Sequence, residues 1–374
     1  MAARTIRVPF VDLEHVNLPL RDGLLAGFSS LLERGDFIGG SEVECFEAAF
    51  AAYCGSARCV GTSSGLDALR LGLLAAGLEP GDEVIVPANT FIASFEAIAQ
   101  AGGMPVAVDV SDADYNIDVE AAAAAVTRRT TFLLPVHLYG QMADMRAIRR
   151  LAERHELRIL EDACQAHGAE RDGLRAGSCA TAAAFSFYPT KNLGAVGDAG
   201  ALVTDDDAIA DLAHALRQHG EVEKYRSLRP GYTARLDTLQ ALVLSCKLPL
   251  LDGWNQERAE AAAFYDLALA GVGDLQPPPR AAGSTPVWHL YVVRTARRDE
   301  LMAHLADQGI ATGRHYPEPP HLSDAFSHLA GGIGSFPVAE RLADELLSLP
   351  LFPGIEREQL EAVIGAIRAF FGDG

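Results

Sequence analysis

Between residues 80 and 204 the chain repeats one rhythm of short apolar strand, loop and helix-length stretch, and this alternation narrows the fold more than any other feature. PGDEVIVPANTFIASFEAIAQAGGMPVAVDV (80–110) reads as turn, strand, loop, helix, strand. It is followed by a strand TTFLLPVHLYG, a helix from Met142 to about His155, the strands LRILED, AAAFSF and GALVTDD, and a helix from Ala208 to Arg217. Parallel neighbours in a sheet need a crossover segment between them, so the pattern predicts an α/β fold with a mostly parallel central sheet flanked by helices. Ligands of such sheets bind beyond the carboxyl ends of the strands. Phe91, Asp162, Ser186 and Lys191 fall at or just past predicted strand ends, which brings four chemically useful side chains to one edge.

A chain of 374 residues is longer than one core usually grows, so two domains are expected. We divide them as a large domain over 1–245 and a smaller C-terminal α+β domain over 246–374, the latter holding the strand VWHLYVV after the PPP break at 277–279. Near the N-terminus an amphipathic helix is expected over Leu18 to Arg34. Ser41 with Glu44 reads as a capping box that starts a helix running to about Tyr53. A long helix is expected from about Leu242 through Trp254 to Ala270.

The formal net charge of -19 argues against nucleic acid and anionic membranes as partners, since both reward basic surfaces. No apolar run approaches the roughly 20 residues that cross a bilayer. The six cysteines, Cys45, Cys54, Cys59, Cys164, Cys179 and Cys246, show no C-x-x-C pair and no zinc spacing. We read them as reduced core thiols of a cytoplasmic protein without a metal site.

Lys191 is one of only three lysines, with Lys224 and Lys247. It follows an apolar strand ending at Ser186, within a turn of small residues. A lysine there is a solvated loop cation or, if desolvated, a nucleophile toward carbonyls, which makes a Schiff base with pyridoxal phosphate (PLP) worth testing. Asp162 ends the strand of RILEDACQAHGA. It is either a solvated strand-end residue or the carboxylate that keeps a pyridine nitrogen protonated. Gln165, three residues on, would reach the phenolic oxygen of such a ring. Small residues from Gly61 to Gly65 precede a helix with Leu66, Leu69 and Leu73 on one face. They serve as an ordinary helix cap or as a phosphate cup built on free N–H groups. The segment 217–241 gathers Arg217, His219, Lys224, Arg226, Arg229 and Arg235, a solvated loop or a clamp for anionic groups.

With these pieces placed, the chain resembles the DegT/DnrJ/EryC1/StrS family of PLP-dependent sugar aminotransferases over nearly its whole length. The resemblance rests on GLDAL, PGDEVIVPANTFIA, GMPVAVDV, EDACQAHGA, SFYPTKNLGAVGDAGALVT, GYTARLDTLQA and ATGRHYPEPPHL. It implies the aspartate aminotransferase-like fold (fold type I) and a homodimer with shared active sites. It implies further that Lys191 holds the cofactor covalently and then acts as general acid and base, with Asp162 on the ring nitrogen and Gln165 on the phenolic oxygen. Phe91 would stack on the ring, and Ser63, Ser64, Gly65, Leu66 and Ser186 would form the phosphate cup. Thr233 stands where the family often has Asn for a phosphate contact across the dimer, and Leu66 where many members have Thr. Lys191 itself separates the chain from the branch that carries histidine there and performs dehydration.

The implied reaction moves an amino group from L-glutamate or L-glutamine to a nucleotide-linked ketosugar, the cofactor cycling with pyridoxamine phosphate. The motifs look most like members that aminate C3 of dTDP-3-keto-6-deoxyhexoses. His315, Tyr316 and His321 would line the sugar site, and Lys224, Tyr225, Arg226 and Arg235 of the basic loop would meet the nucleotide from the neighbouring subunit. A cyclitol ketone such as an inosose, or a UDP-linked 3-keto sugar, is the alternative within the family. A PLP-binding regulatory protein without turnover is the alternative from another class.

Overall fold

Seven strands build the central sheet of the computed structural model, which describes residues 8–327, 329 and 332–372. In chain order they are β1 (Arg58–Thr62), β2 (Glu83–Pro87), β3 (Met104–Val108), β4 (Thr130–Leu133), β5 (Arg158–Asp162), β6 (Ala182–Ser186) and β7 (Gly200–Thr204). Their spatial order is β1-β7-β6-β5-β4-β2-β3. All pairings are parallel except those of β7, which runs against both β1 and β6. The ends of the two expected domain ranges, residues 1–7 and 373–374, lie outside the described residues.

These strands are apolar almost without interruption because both faces of the sheet are covered. Successive side chains point to opposite sides, and the core divides accordingly. Ile85, Leu133, Ile159, Ala183 and Phe185 join one buried cluster, in which Phe50 meets Phe185 and Phe187 edge-on at 5.0 Å. Val84, Val86, Phe132, Leu134, Leu160 and Ala184 join the other, together with Leu290, Val292 and Leu342 from the C-terminal part. Each of the Val, Leu, Ile and Phe side chains contributes roughly 1.5–3 kcal/mol by leaving water.

A third cluster gathers Tyr265, Trp288, Tyr291, Leu301, Leu347, Leu360 and Val363. It lies among the helices Leu251–Leu269, Arg298–Asp307 and Arg357–Phe371 and an antiparallel pair, β8 (Tyr291–Arg294) with β9 (Leu346–Leu349). Val8 belongs to this cluster and bridges to Ile310, so the N-terminal end is tied to C-terminal structure.

Several local expectations are corrected. The helix Ser41–Cys54 is capped by Gly40 without a side-chain bond, and Ser41 Oγ donates to Glu42 instead, so no capping box forms. The expected long helix is two, Thr238–Lys247 and Leu251–Leu269. Between them Leu248–Leu250 forms a 3₁₀ turn, because Pro249 supplies no N–H to continue an α-helical ladder. The strand at 130–140 ends at Leu133, and Asp144 rather than Met142 opens the following helix by accepting from Ala147 N–H at 2.9 Å. The six cysteines are unpaired, but Cys45 is exposed and only Cys54, Cys59 and Cys179 are buried. Among the described residues no helix is long and apolar enough to cross a membrane.

Candidate active site

The carboxyl ends of β1, β2, β5 and β6 open on one cavity of about 370 Å³. Because β7 is antiparallel, its amino end lies on the same edge, so the loop from Phe187 to Ala199 runs along the cavity and presents Lys191. That loop is held by its own backbone: Lys191 N–H donates to Tyr188 O at 2.8 Å and Ala195 N–H to Phe187 O at 2.8 Å. Beneath it Lys247, only 2% exposed, donates from Nζ to Gly194 O at 2.7 Å.

At one end of the cavity the helix Gly65–Ala75 begins. Its first N–H groups have no partner within the helix, and the dipole is positive there. Ser64 caps it by accepting from Asp67 N–H at 3.1 Å. A side chain at residue 65 would not fit, since a Cβ there would lie 2.7 Å from Ser186 Cβ and 2.9 Å from Cys164 Sγ. Gly200 is equally constrained, its hypothetical Cβ 2.3 Å from Ser64 O. Three backbone segments thus converge on one corner.

Asp162 ends β5 with its carboxylate toward the cavity, 6% exposed. Glu161 faces the other way, and is held by Gly177 N–H at 2.9 Å and by the His137 ring, whose Nε2 lies 2.8 Å away. Asp162 Oδ2 accepts from Ser94 Oγ at 2.7 Å, and Oδ1 from Cys164 N–H at 3.2 Å. Gln165 accepts at Oε1 from Tyr139 N–H at 2.7 Å and donates from Nε2 to Tyr316 Oη at 3.0 Å. The Tyr316 ring lies 5.3 Å from that of Phe91, which is 51% exposed at the mouth.

Burial pushes the Lys191 amine below the ordinary lysine value, opposed by neighbouring Cys164 and Asp162. A less protonated amine is the nucleophilic form. Around it three histidines are kept neutral by burial, reinforced by the Lys191 charge. His315 falls to about 4 and His167 to about 3, and His289 lies well below the usual range. His289 Nδ1 donates to Asn192 Oδ1 at 3.2 Å, and His315 Nδ1 lies 2.8 Å from Ser348 Oγ.

The folded protein therefore binds fewer protons than the unfolded chain between about pH 6.5 and 4. Stability is full above that window and falls as pH drops through it, by on the order of 3 kcal/mol for a histidine moved as far as His315. Unfolding temperatures measured from pH 7 to 4.5 should decline accordingly. His167→Phe should flatten the decline, because neither ring nitrogen of His167 has a partner and its ring packs against Phe185 and Phe187. An unchanged slope would show that His167 is not held neutral.

Ten of the residues singled out from the sequence line this cavity: Ser64, Gly65, Leu66, Phe91, Asp162, Gln165, Ser186, Lys191, His315 and Tyr316. Thr90, Tyr188, Asp198 and His289 line it too and were not singled out. Ser63 lies outside, its hydroxyl bonded to Asp67 and its N–H to Ala234 O at 3.1 Å. His321 is also outside: it is fully buried, with Nε2 3.2 Å from Glu340 Oε1 and its ring edge-on to Phe336 at 4.7 Å. Lys224, Tyr225 and Arg226 sit on an exposed hairpin made by Glu221–Glu223 and Arg226–Ser227, where Tyr225 is 87% exposed. Thr233 and Arg235 do not line the cavity either. Thr233 Oγ1 lies 3.3 Å from His219 Nε2, and Arg235 bridges to Thr62. Arg217, placed in the same basic segment, is buried and donates to Glu47 and to Gly61 O at 2.6 Å, a structural use.

Against known proteins, the chain is 48% identical over 366 residues to "dTDP-3-amino-3,4,6-trideoxy-alpha-D-glucose transaminase" of Streptomyces venezuelae, covering 98% of this chain and 97% of that protein. It is 47% identical over 362 residues to "Erythromycin biosynthesis sensory transduction protein EryC1" of Saccharopolyspora erythraea, covering 97% and 99%. The crystal structure of S. venezuelae DesV in complex with a ketimine intermediate superposes with a TM-score of 0.96 at 48% identity, covering 98% of this chain and 99% of that one. The family model of these aminotransferases matches residues 21–368, from the first long helix into the last, and so spans every strand that frames the cavity. On this match and on relatives aligned end to end, the chain belongs to the DegT/DnrJ/EryC1/StrS aminotransferase family.

Proposed function

We propose that the chain is a PLP-dependent aminotransferase that aminates a nucleotide-linked 3-ketosugar, of the dTDP-3-keto-6-deoxyhexose class, with L-glutamate or L-glutamine as donor. One observation carries the reading: the Lys191 amine and the Asp162 carboxylate face a single cavity that ends on a helix N-terminus.

The residues present fit the cofactor. The cavity is in the size range of small-molecule sites. Gly65 leaves the backbone bare where a phosphate would sit, and a Cβ would fill that cradle. When bound, PLP supplies an electrophilic carbonyl and an electron sink. Ser64, Gly65, Leu66 and Ser186 would hold its phosphate, Phe91 would cover the ring, and Gln165 would lie beside the phenolic oxygen. Asp162 would keep the ring nitrogen protonated. Lys191 Nζ would hold the cofactor covalently, then take and return the proton that moves during transfer. His315 and Tyr316 would bind the sugar, with His315 acting as a neutral hydrogen-bonding group.

Among the described residues Lys191 is the one lysine or arginine that lines this cavity, and the nucleotide reading requires further cations. We assign them to a second copy, whose exposed hairpin with Lys224, Tyr225 and Arg226, and whose Thr233 and Arg235, would complete the site. Phe37, Ile38, Phe91, Tyr188 and Val196 are each 51–56% exposed, large apolar groups that a second copy would cover. The name of the S. venezuelae relative supports a dTDP-linked sugar. The sensory name of the S. erythraea relative points elsewhere; a regulatory PLP binder would hold the cofactor with the same Lys191 and Asp162, so turnover of an acceptor separates the two readings.

The test supplies the PLP-loaded protein with a dTDP-3-keto-deoxyhexose, a UDP-3-ketosugar or an inosose, each with L-glutamate and with L-glutamine, and reads products by mass spectrometry. An amino sugar nucleotide formed best from the dTDP substrate is the expected result. Amination of the inosose alone would overturn the nucleotide reading, and no amination of any acceptor would favour the regulatory one.

A further inference from the structure

Ser94 lies in the first turn of the helix Ala93–Gln100, and Thr90 in the bend three residues before that helix begins. Both are buried, Ser94 completely and Thr90 to 2% exposure. A serine inside a helix usually bonds back to its own chain one turn earlier. Here Ser94 Oγ instead reaches 2.7 Å to Asp162 Oδ2, 68 residues away on β5, and Thr90 Oγ1 stands 2.8 Å behind it. An ionised carboxylate only accepts, so the Ser94 proton points to Asp162. Ser94 oxygen then accepts from Thr90, and the two hydroxyls form a chain polarised in one direction. With Cys164 N–H on Oδ1 at 3.2 Å, both carboxylate oxygens carry a donor on the protein side.

We propose that Ser94, backed by Thr90, is a positioning residue that acts through Asp162 to keep the proton on the ring nitrogen of the bound cofactor. The inference rests on the aminotransferase reading. The donors fix the rotation of the carboxylate and draw its electron density toward themselves, so the proton between Asp162 and the ring is left on nitrogen. Burial of the two hydroxyls is tolerated because each has a partner. Neither touches the reacting atoms in this role.

The test loads wild type, Ser94→Ala, Thr90→Val and Ser94→Thr with pyridoxamine phosphate carrying ¹⁵N in the ring, and reads the nitrogen resonance and the cofactor affinity. Wild type should resonate at the protonated position. Ser94→Ala should move toward the unprotonated position and bind roughly tenfold more weakly, as loss of a hydrogen bond to a charged group predicts. Thr90→Val, close in shape, should move the same way by less, and Ser94→Thr should restore the wild-type resonance. Apo variants that unfold at the wild-type temperature would show that the change is local. A Ser94→Ala resonance identical to wild type would overturn the proposal while leaving the cofactor reading intact. A wild-type resonance at the unprotonated position would instead remove Asp162 from the ring nitrogen, and the proposal with it.

Discussion

Lys191→Ala should reduce amino transfer by at least about 10⁴-fold. A positioned general acid and base alone contributes roughly 10²–10⁴-fold, and the covalent attachment is lost as well. The folded protein should persist, because the amine is desolvated and its removal relieves a burial cost. The loop that carries it is held by backbone bonds and by Lys247, none of which involves the Lys191 side chain. The check is single-turnover transfer from L-glutamate alongside the visible spectrum of the loaded protein, in which the variant should bind cofactor without the absorbance of the lysine-linked form. A variant that kept a tenth of wild-type activity would mean that Lys191 is not the group that carries the proton.

Asp162→Asn should cost about 10²–10³-fold in kcat, the range found when one preorganised electrostatic group is removed from an active site. The substitution keeps size and leaves one acceptor oxygen for Cys164 N–H, while the Ser94 hydroxyl can turn to accept from the new amide and donate to Thr90, so unfolding temperature should change little. Asp162→Ala is a worse probe. It leaves Cys164 N–H without its acceptor and Ser94 Oγ with Thr90 alone, at about 1–3 kcal/mol for an unsatisfied buried group, and so mixes stability with chemistry. Measuring kcat and KM separately distinguishes the outcomes. A loss confined to KM would mean that Asp162 merely helps to hold the ligand.

Four of the residues found from the sequence are marked by their position next to a strand end, whereas His315 and Tyr316 follow a helix and came only from the family resemblance. Asp162 and Ser186 are the last residues of β5 and β6, and Phe91 and Lys191 follow a strand within a few positions. Ser94 carries no such mark. In the first turn of a helix it reads as an ordinary polar residue, and only the placement of that helix against β5 turns it toward Asp162. Lys247 did leave a trace. It shares a helix face with Val243 and Leu244, both buried, so its spacing put it on the inward stripe where a lysine is out of place. Burial takes its amine down to about 8. His315 and His321, six positions apart in one motif, could not be told apart until one was seen to line the cavity and the other to be packed against Phe336 and Glu340.

The sequence by itself determined the alternation of strands and helices, the edge of the sheet that carries the chemistry, and the lysine and aspartate on that edge, because each is encoded by patterns a few residues long. Only the tertiary structure decided which distant segments meet there. The order β1-β7-β6-β5-β4-β2-β3 and the reversed direction of β7 put the Lys191 loop beside Asp162. Packing of the C-terminal part against the sheet brings in His289, His315 and Tyr316. It also leaves the basic hairpin outside this chain's own cavity. Such contacts depend on which faces remain to be buried once the local elements exist, a property of the assembled chain and of no single stretch.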